Sequence, residues 1–442
     1  MRSTHPFVLV LLCLLCPFAR ADDTISVDPE PRWWKGNIHT HTLWSDGDDF
    51  PEMVAEWYCD HGYNFLALSD HNILSQGEKW MPLAEVERRG GADSFAKYLA
   101  RWGARWVEQR PRKDDGALEI RLKPLNEFRA LVEERGRFIL IQAEEITDEF
   151  ARLPIHMNAT NIVERIAPQH GDGIEEVIRN NLAQVIEQSA RLGQPMIAHI
   201  NHPNFGWALT AEIIAAITEE HFFEVFNGHT SVHNAGDTQR ASTEKIWDIA
   251  NSIRLAQHGA PPLFGLATDD SHNYHGTSNV SISGRGWIMV RSRHLTPESI
   301  IRAMQAGDFY ASTGVVLNDI RFDEETGTLS IDIEPDGEAA FTTQFICTRR
   351  DADLSGEPVL RDDGVPLHAT MRYSDTVGEV LAEVEGLHPD YTLSGDELYV
   401  RAVITSSAPS ENPTNENQLK KAWTQPVGWR RVTAKQLGVE GR

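Results

Sequence analysis

The residues equipped for chemistry begin at Gly36-Asn37-Ile38-His39-Thr40-His41-Thr42-Leu43-Trp44-Ser45-Asp46-Gly47. Histidines two positions apart on a strand share one face. A turn beyond the strand can return Asp46 toward them, and two imidazoles with a carboxylate begin a divalent-metal site. Further clusters follow at Ser69-Asp70-His71-Asn72, Glu144-Glu145-Ile146-Thr147, His156, His199-Ile200-Asn201-His202-Pro203 and Asp269-Asp270-Ser271-His272. The candidate ligands are His39, His41, Asp46, His71, Glu145, His156, His202, Asp270 and His272. So many imidazoles and carboxylates suit two or three divalent ions. On the residues alone, Glu144 competes with Glu145, His199 with His202, and Asp269 with Asp270.

These side chains need elements to hold them. Residues 33–40 read as a first strand, and Phe50, Met53, Val54, Trp57 and Tyr58 fall at helical spacing before Gly62. Residues 63–69 form a short apolar strand that delivers Asp70 and His71. Further strands are expected at 138–141, 156–162, 195–198, 222–227, 263–268 and 286–290. Between them lie helices: an amphipathic one over 174–186 stopping near Gly193, and others capped by Thr210 and Thr296. Alternating strands and helices over 33–310 predict a parallel α/β architecture, a closed or nearly closed barrel whose functional residues gather at the C-terminal strand ends. Residues 73–135, with Trp80, Trp102 and Trp106 among many Arg and Glu, read as a helical insertion, either a cap over the site or an ordinary one. From residue 315 to 442, alternating runs such as 329–333 and 398–404 predict an antiparallel β-sandwich.

The chain has 442 residues and a net charge of −24. So acidic a surface repels nucleic acid and excludes it as a partner class. Arg2, the apolar residues 7–15 and Ala19-Arg20-Ala21 read as a cleaved secretory signal over residues 1–21. The apolar run is shorter than the ~20 residues of a spanning helix. A secreted or periplasmic protein with no integral membrane span is therefore expected. Cleavage leaves Cys59 and Cys347, read as free buried thiols, so any metal must be held by nitrogen and oxygen.

His39-x-His41 with Asp46, Ser69-Asp70-His71-Asn72, Glu145-Ile146-Thr147, His202-Pro203 and Asp270-x-His272 resemble, in order, the motifs of the PHP (polymerase and histidinol phosphatase) family of metallohydrolases. The resemblance covers roughly residues 34–310. The Gly286-Trp287 strand, residues 307–314 and the C-terminal β region resemble a secreted subgroup of metallohydrolases similar to carbaryl hydrolase. The resemblance implies a distorted seven-stranded (β/α) TIM-like barrel over residues 22–314, up to three Zn, Mn or Fe ions, and hydrolysis of small phosphate esters. Its motifs favour Glu145, His202 and Asp270 over their neighbours. It also implies that His39, His41 and Glu145 help hold one metal, and that Asp46, His71 and Asp270 hold a neighbour bridged by Glu145. His156 and His202 would hold a third, with His272 completing the set. A water acidified between two cations would then attack the ester in line with its leaving oxygen. Glu145 and Asp270 would serve catalysis through the ions, and Arg285 is a candidate phosphate contact. Three alternatives compete: the same site acting on carboxylic, carbamate or phosphonate esters, a non-catalytic metal- or surface-binding protein, and a phosphotriesterase-like amidohydrolase. The last needs a carboxylated lysine where Glu145 stands.

Overall fold

A computed structural model describes residues 28–430, so the expected leader lies outside the described residues. The chain runs β1 (Arg32–Asn37), α1 (Pro51–Asp60) and β2 (Phe65–Leu68), then an insertion. The insertion holds β3 (Lys79–Pro82), α2 (Leu83–Gly90), α3 (Ser94–Trp102), β4 (Gln109–Pro111), β5 (Leu118–Leu122) and α4 (Leu125–Val132). Next come β6 (Ile139–Phe150), β7 (Leu153–Thr160), α5 (Ile174–Leu192), β8 (Ile197–Ile200), α6 (Ala211–Ala216), β9 (Phe222–Asn227), α7 (Thr243–Ile253) and β10 (Phe264–Thr268). They are followed by β11 (Trp287–Ser292), α8 (Pro297–Gln305) and β12 (Phe309–Ser312). The C-terminal part contains β13 (Leu317–Asp323), β14 (Thr328–Ile333), β15 (Phe341–Cys347), β16 (Glu379–Glu385), β17 (Asp390–Thr392), β18 (Arg401–Pro409) and β19 (Leu419–Thr424).

The helix ends follow local chemistry. The side chains of Thr210 and Thr296 accept from the backbone N–H groups of Ile213 and Ser299, and α5 stops at the left-handed Gly193. No helix among the described residues is long and apolar enough to cross a membrane.

Thirteen strands form one sheet in the order β10-β9-β8-β7-β6-β2-β1-β11-β12-β19-β18-β15-β16. β1, β2 and β6 are parallel neighbours, as are β8, β9 and β10. The all-parallel expectation fails at β7 and β11. β7 runs antiparallel to both β6 and β8, because Ala151 and Arg152 at positive φ close a tight hairpin after β6. β11 lies antiparallel along β1 from Arg32 to Gly36 and occupies the edge that β10 would need. Only beyond β1 do the two ends meet: Thr40 bridges Ser271, His41 N donates to the Ser271 carbonyl at 2.9 Å, and Asp270 N donates to the His39 carbonyl at 3.1 Å. The sheet therefore curls on itself at the mouth without closing as a barrel along its length.

Apolar layers hold this arrangement. Ile141, Ala143, Ile197, Phe222 and Leu266 fill the inner face beneath the mouth. α5, α6 and α7 pack Val177, Leu182, Ile214 and Trp247 against the outer face. The insertion is not helical throughout: β3, β5 and β4 pair as a three-stranded antiparallel sheet, and alternate burial along β5 matches that pairing. Its Met81, Val86, Tyr98, Ile120 and Leu122 bury Leu43, Trp44 and Phe50, which flank Asp46. In the C-terminal part, β13 and β14 supply Leu317, Leu329 and Ile331 to a cluster shared with Phe345, Val400 and Ile404 of the large sheet. Cys59 and Cys347 are free thiols, the first half-buried and the second buried.

Candidate metal centre

Every second residue on a strand faces the same way. On β6 the inner face reads Ile141, Ala143, Glu145, apolar at the floor and charged at the mouth. The same step carries Phe222 to Glu224 on β9, Ile197 to His199 on β8, and Leu266 through Thr268 to Asp270 past β10. His156 sits near the start of β7, and because β7 runs the other way, its start lies at the same mouth.

Nine expected side chains meet there. His39 Nε2 lies 3.4 Å from Glu145 Oε2 and 3.1 Å from Asp270 Oδ1. His41 Nε2 lies 3.2 Å and 3.3 Å from the same two oxygens. His71 places Nδ1 2.9 Å from Glu145 Oε2 and Nε2 3.5 Å from Asp46 Oδ2. His156 and His202 approach the other oxygen, Glu145 Oε1, at 3.0 Å and 3.4 Å. His272 Nε2 is 3.4 Å from Asp46 Oδ1. Ligand-type atoms cluster in overlapping sets: His39, His41 and Glu145; His41, Asp46, His71 and His272; His71, Glu145 and His156; His39, His202 and Asp270. Glu145 thus turns one oxygen to His39, His41 and His71 and the other to His156 and His202.

Geometry separates the neighbouring candidates. Glu144 points to the opposite face and accepts from Ile166 N at 2.5 Å. Burial in that apolar setting pushes its carboxyl up to about 7. Asp269 accepts from the backbone N–H groups of Gly284, Arg285 and Gly286 and from the Tyr58 hydroxyl, which leaves it a loop anchor. His199 lies deeper, its Nε2 3.6 Å from Glu224 Oε1, and forms a separate set with His39 and Glu224. Arg285 is engaged by the backbone of its surrounding loops. Its guanidinium donates to the carbonyls of Gly228, Val280 and Asn279 at 2.8, 2.9 and 2.7 Å, so these donors are spent on the loop and not offered to a phosphate.

Two residues that sequence reading passed over, Glu224 and Asn201, hold this set together with Asp70. Glu224 Oε1 lies 2.7 Å from His39 Nδ1 and also accepts from the Thr268 hydroxyl at 2.6 Å. It fixes the tautomer that aims His39 Nε2 at the cluster, the usual role of a carboxylate behind a ligating histidine. Its other oxygen accepts from His202 N and Asn227 Nδ2. Asn201 Nδ2 donates to Glu145 Oε1 at 2.8 Å. Asp70 accepts from Thr42 N and the hydroxyls of Thr42 and Ser45, and so folds the Asp46 loop. The inward period of β9, running from Phe222 to Glu224, was the available signal for Glu224.

Three site residues also carry positive φ without being glycine: Asn72 at 52°, His202 at 22° and Asp270 at 50°. Each such conformation costs about 1–3 kcal/mol and persists where its surroundings overdetermine it. Asn72 shows how: its side chain pairs with both the N–H and the carbonyl of Thr147.

The electrostatics are those of a cation site. Burial pushes the Glu145 carboxyl upward, but the imidazoles of His71, His39 and His156 overcome it and hold it well below the usual range. Burial lowers His39, and Asp270, Glu224 and Glu145 more than reverse it, raising it well above 6.5. His39 Nε2, His41 Nε2 and Glu145 Oε2 are buried with no hydrogen-bond partner. Two orphaned imidazole nitrogens 3.4 and 3.2 Å from an equally orphaned carboxylate oxygen fit a bound divalent ion.

No family model matches the sequence, and no curated protein matches it. Among solved structures, the chain is similar to a two-domain protein from Bacteroides vulgatus containing a predicted PHP-like metal-dependent phosphoesterase, at 14% identity, TM-score 0.38, covering 90% of this chain and 96% of that one. It is similar to a protein of Bifidobacterium adolescentis assigned as a metal-dependent phosphoesterase, at 12% identity and TM-score 0.27, over 57% of this chain and 94% of that one. An amidohydrolase from Chromobacterium violaceum, with bound sulfate and no metal, is similar at 12% identity and TM-score 0.25, over 56% and 89% of the two chains.

Proposed function

We propose that this chain is an exported, metal-dependent hydrolase of small phosphate esters, built around two or three divalent ions. The observation that carries the reading is the division of Glu145, whose two oxygens face two different sets of imidazoles. That is the arrangement a bridging carboxylate requires.

His39, His41, Asp46, His71, His156, His202, Asp270 and His272 would hold the ions with Glu145, in the overlapping sets described above. Divalent cations bound there supply positive charge that makes water nucleophilic near neutral pH and offsets charge growing on the ester oxygens. Glu224 holds His39 with Nε2 forward, and Asn201 orients Glu145. Asp70 and the insertion keep Asp46 at the rim; Arg89 donates to the carbonyls of Ser45 and Gly47.

The engagement of Arg285 with three carbonyls favours a second reading, in which the same centre cleaves neutral carboxylic or carbamate esters. Elemental analysis beside a panel of phosphomonoesters, phosphodiesters and carboxylic and carbamate esters tests both. Turnover of a phosphoester, abolished by chelator and restored by Mn or Zn, supports the first. Turnover of carboxyl esters alone selects the second. Export is proposed on residues 1–21 as a leader, and a mature protein whose amino-terminal sequencing begins at Asp22 would support it.

A further inference from the structure

We propose that Phe205 and His229 form the subsite for the organic part of the substrate, and that this part is a planar, apolar aryl group. The proposal rests on the hydrolase reading above and names the substrate class of that site.

The mouth opens on one side. The side chains of His39 and His41 are 0% exposed, whereas His156, His272 and His71 are 12%, 17% and 26% exposed. Phe205 and His229, both half-buried, neighbour the partly exposed His156 and His272 respectively. The Phe205 ring centroid lies 5.1 Å from His202, 6.3 Å from His156 and 6.1 Å from His229. Phe205 belongs to none of the apolar core clusters among the described residues. A large apolar ring with imidazoles of the centre for neighbours is not explained by packing the fold.

The turn that carries it is held firmly. Phe205 N donates to the His202 carbonyl at 2.8 Å, and Asn204 Nδ2 donates to the carbonyls of His233 and Ala241. Trp207 sits at φ 55° and stacks on His233 at 4.5 Å. Strain of that kind collects where a site needs a fixed side chain.

His229 supplies the polar edge. Ser231 N donates to His229 Nδ1 at 3.1 Å, so the neutral ring carries its proton on Nε2. The ring lies 6.0 Å from His272 and crosses it at 77°. Asn227 ties this loop to the centre: its Oδ1 accepts from His229 N, and its Nδ2 donates to Glu224 and Asp270. Lys79, Arg89 and Arg285 all donate to backbone carbonyls, so these cations do not select an anionic organic group. An aryl face can pack on Phe205 while the Nε2–H of His229 donates to the oxygen joining it to the head group.

Binding of phenylphosphonate and methylphosphonate to the metal-loaded protein, followed by calorimetry, tests the aryl face without turnover. The expected result is tighter binding of phenylphosphonate by about tenfold, with the preference abolished in Phe205→Ala and kept in Phe205→Tyr. No preference in the unmodified protein, or a preference that survives Phe205→Ala, overturns the subsite. His229→Ala should lower kcat on phenyl phosphate about tenfold or more with metal content unchanged, and an unaltered kcat removes His229 from it. If no phosphoester is hydrolysed yet the phenyl preference holds, the phosphoesterase reading falls and the aryl subsite stands.

Discussion

Glu224 and Glu145 divide the work of the centre at the residue scale. Glu145 meets the imidazoles directly, and Glu224 stands behind His39 with all of its hydrogen bonds directed at site residues or their loops. Glu145→Gln should therefore lose most bound metal, while Glu144→Gln, on the other face of β6, should retain it. Elemental analysis of the two purified variants decides this, and the reverse order would move the ligand by one residue. Glu224→Gln should weaken metal binding by about 10- to 100-fold without removing a ligand. A titration with a competing chelator measures that loss. The metal-stripped protein carries a further signature. Burial lowers the His71 imidazole, but Glu145 and Asp46 overcome it and raise it to about 11. Folding then takes up a proton between 6.5 and 11, so this contribution is complete below pH 6.5 and is lost as pH rises toward 11. Thermal melts of chelated protein at pH 6.5, 8 and 9.5 should show a falling Tm. The metal-loaded protein should stay nearly flat, because the cation rather than a proton balances the carboxylates. Equal slopes would sink the cation-site assignment.

Elements explain what was legible in the chain and what was not. Alternation of apolar strands with amphipathic helices was readable, because burial against a sheet imposes the 3.6-residue period seen in α5 and the apolar run seen in β2. Positions of ligands just past strand ends were readable for the same reason, since His39, His71 and Asp270 follow β1, β2 and β10 within three residues; Glu145 instead lies inside β6, which continues to Phe150. Strand direction was not readable. The reversal of β7 depends on the turn at Ala151 and Arg152, residues that carry no glycine or asparagine signal for positive φ. Nor was the pairing of β3, β5 and β4 visible among so many charged residues. That insertion is locked to α1 by Glu52, whose Oε1 accepts from the Tyr98 hydroxyl at 2.7 Å and Trp106 Nε1 at 2.8 Å. Burial pushes the Glu52 carboxyl up to about 7. The folded protein thus holds a proton that the unfolded chain releases near 4.5, and stability falls as pH rises from 4.5 to about 7, by at most ~1.4 kcal/mol per pH unit. Urea unfolding at pH 5, 6 and 7 should show a shallower decline for Glu52→Gln than for the unmodified protein. An unchanged slope would assign the decline to other groups.

Across the whole molecule, the C-terminal strands continue the sheet that carries the site. β12 pairs with β19, and Gln425 exchanges two hydrogen bonds with the backbone of Gly265 on β10. Between these contacts lies a buried ion pair. Arg401 on β18 meets Asp248 on α7 through Nε and Nη2 at 2.7 Å and 2.6 Å, and the Tyr399 hydroxyl adds a bond to the same carboxylate at 2.7 Å. The guanidinium also lies 4.7 Å from the centroid of the Trp247 ring. Desolvating two charges offsets much of their attraction, but removing one partner leaves the other buried and unpaired. Arg401→Met should therefore cost about 3–5 kcal/mol in urea unfolding. The double change Asp248→Leu with Arg401→Met should cost less than Arg401→Met alone, because no orphaned charge remains. Since the strands on both sides of this pair belong to one sheet, unfolding should remain a single transition in each variant. Coincident curves from tryptophan fluorescence and far-ultraviolet circular dichroism would show it. An early, separate loss of the C-terminal strands would instead mean that β12–β19 pairing does not couple the two halves, and that the metal centre keeps its frame without them.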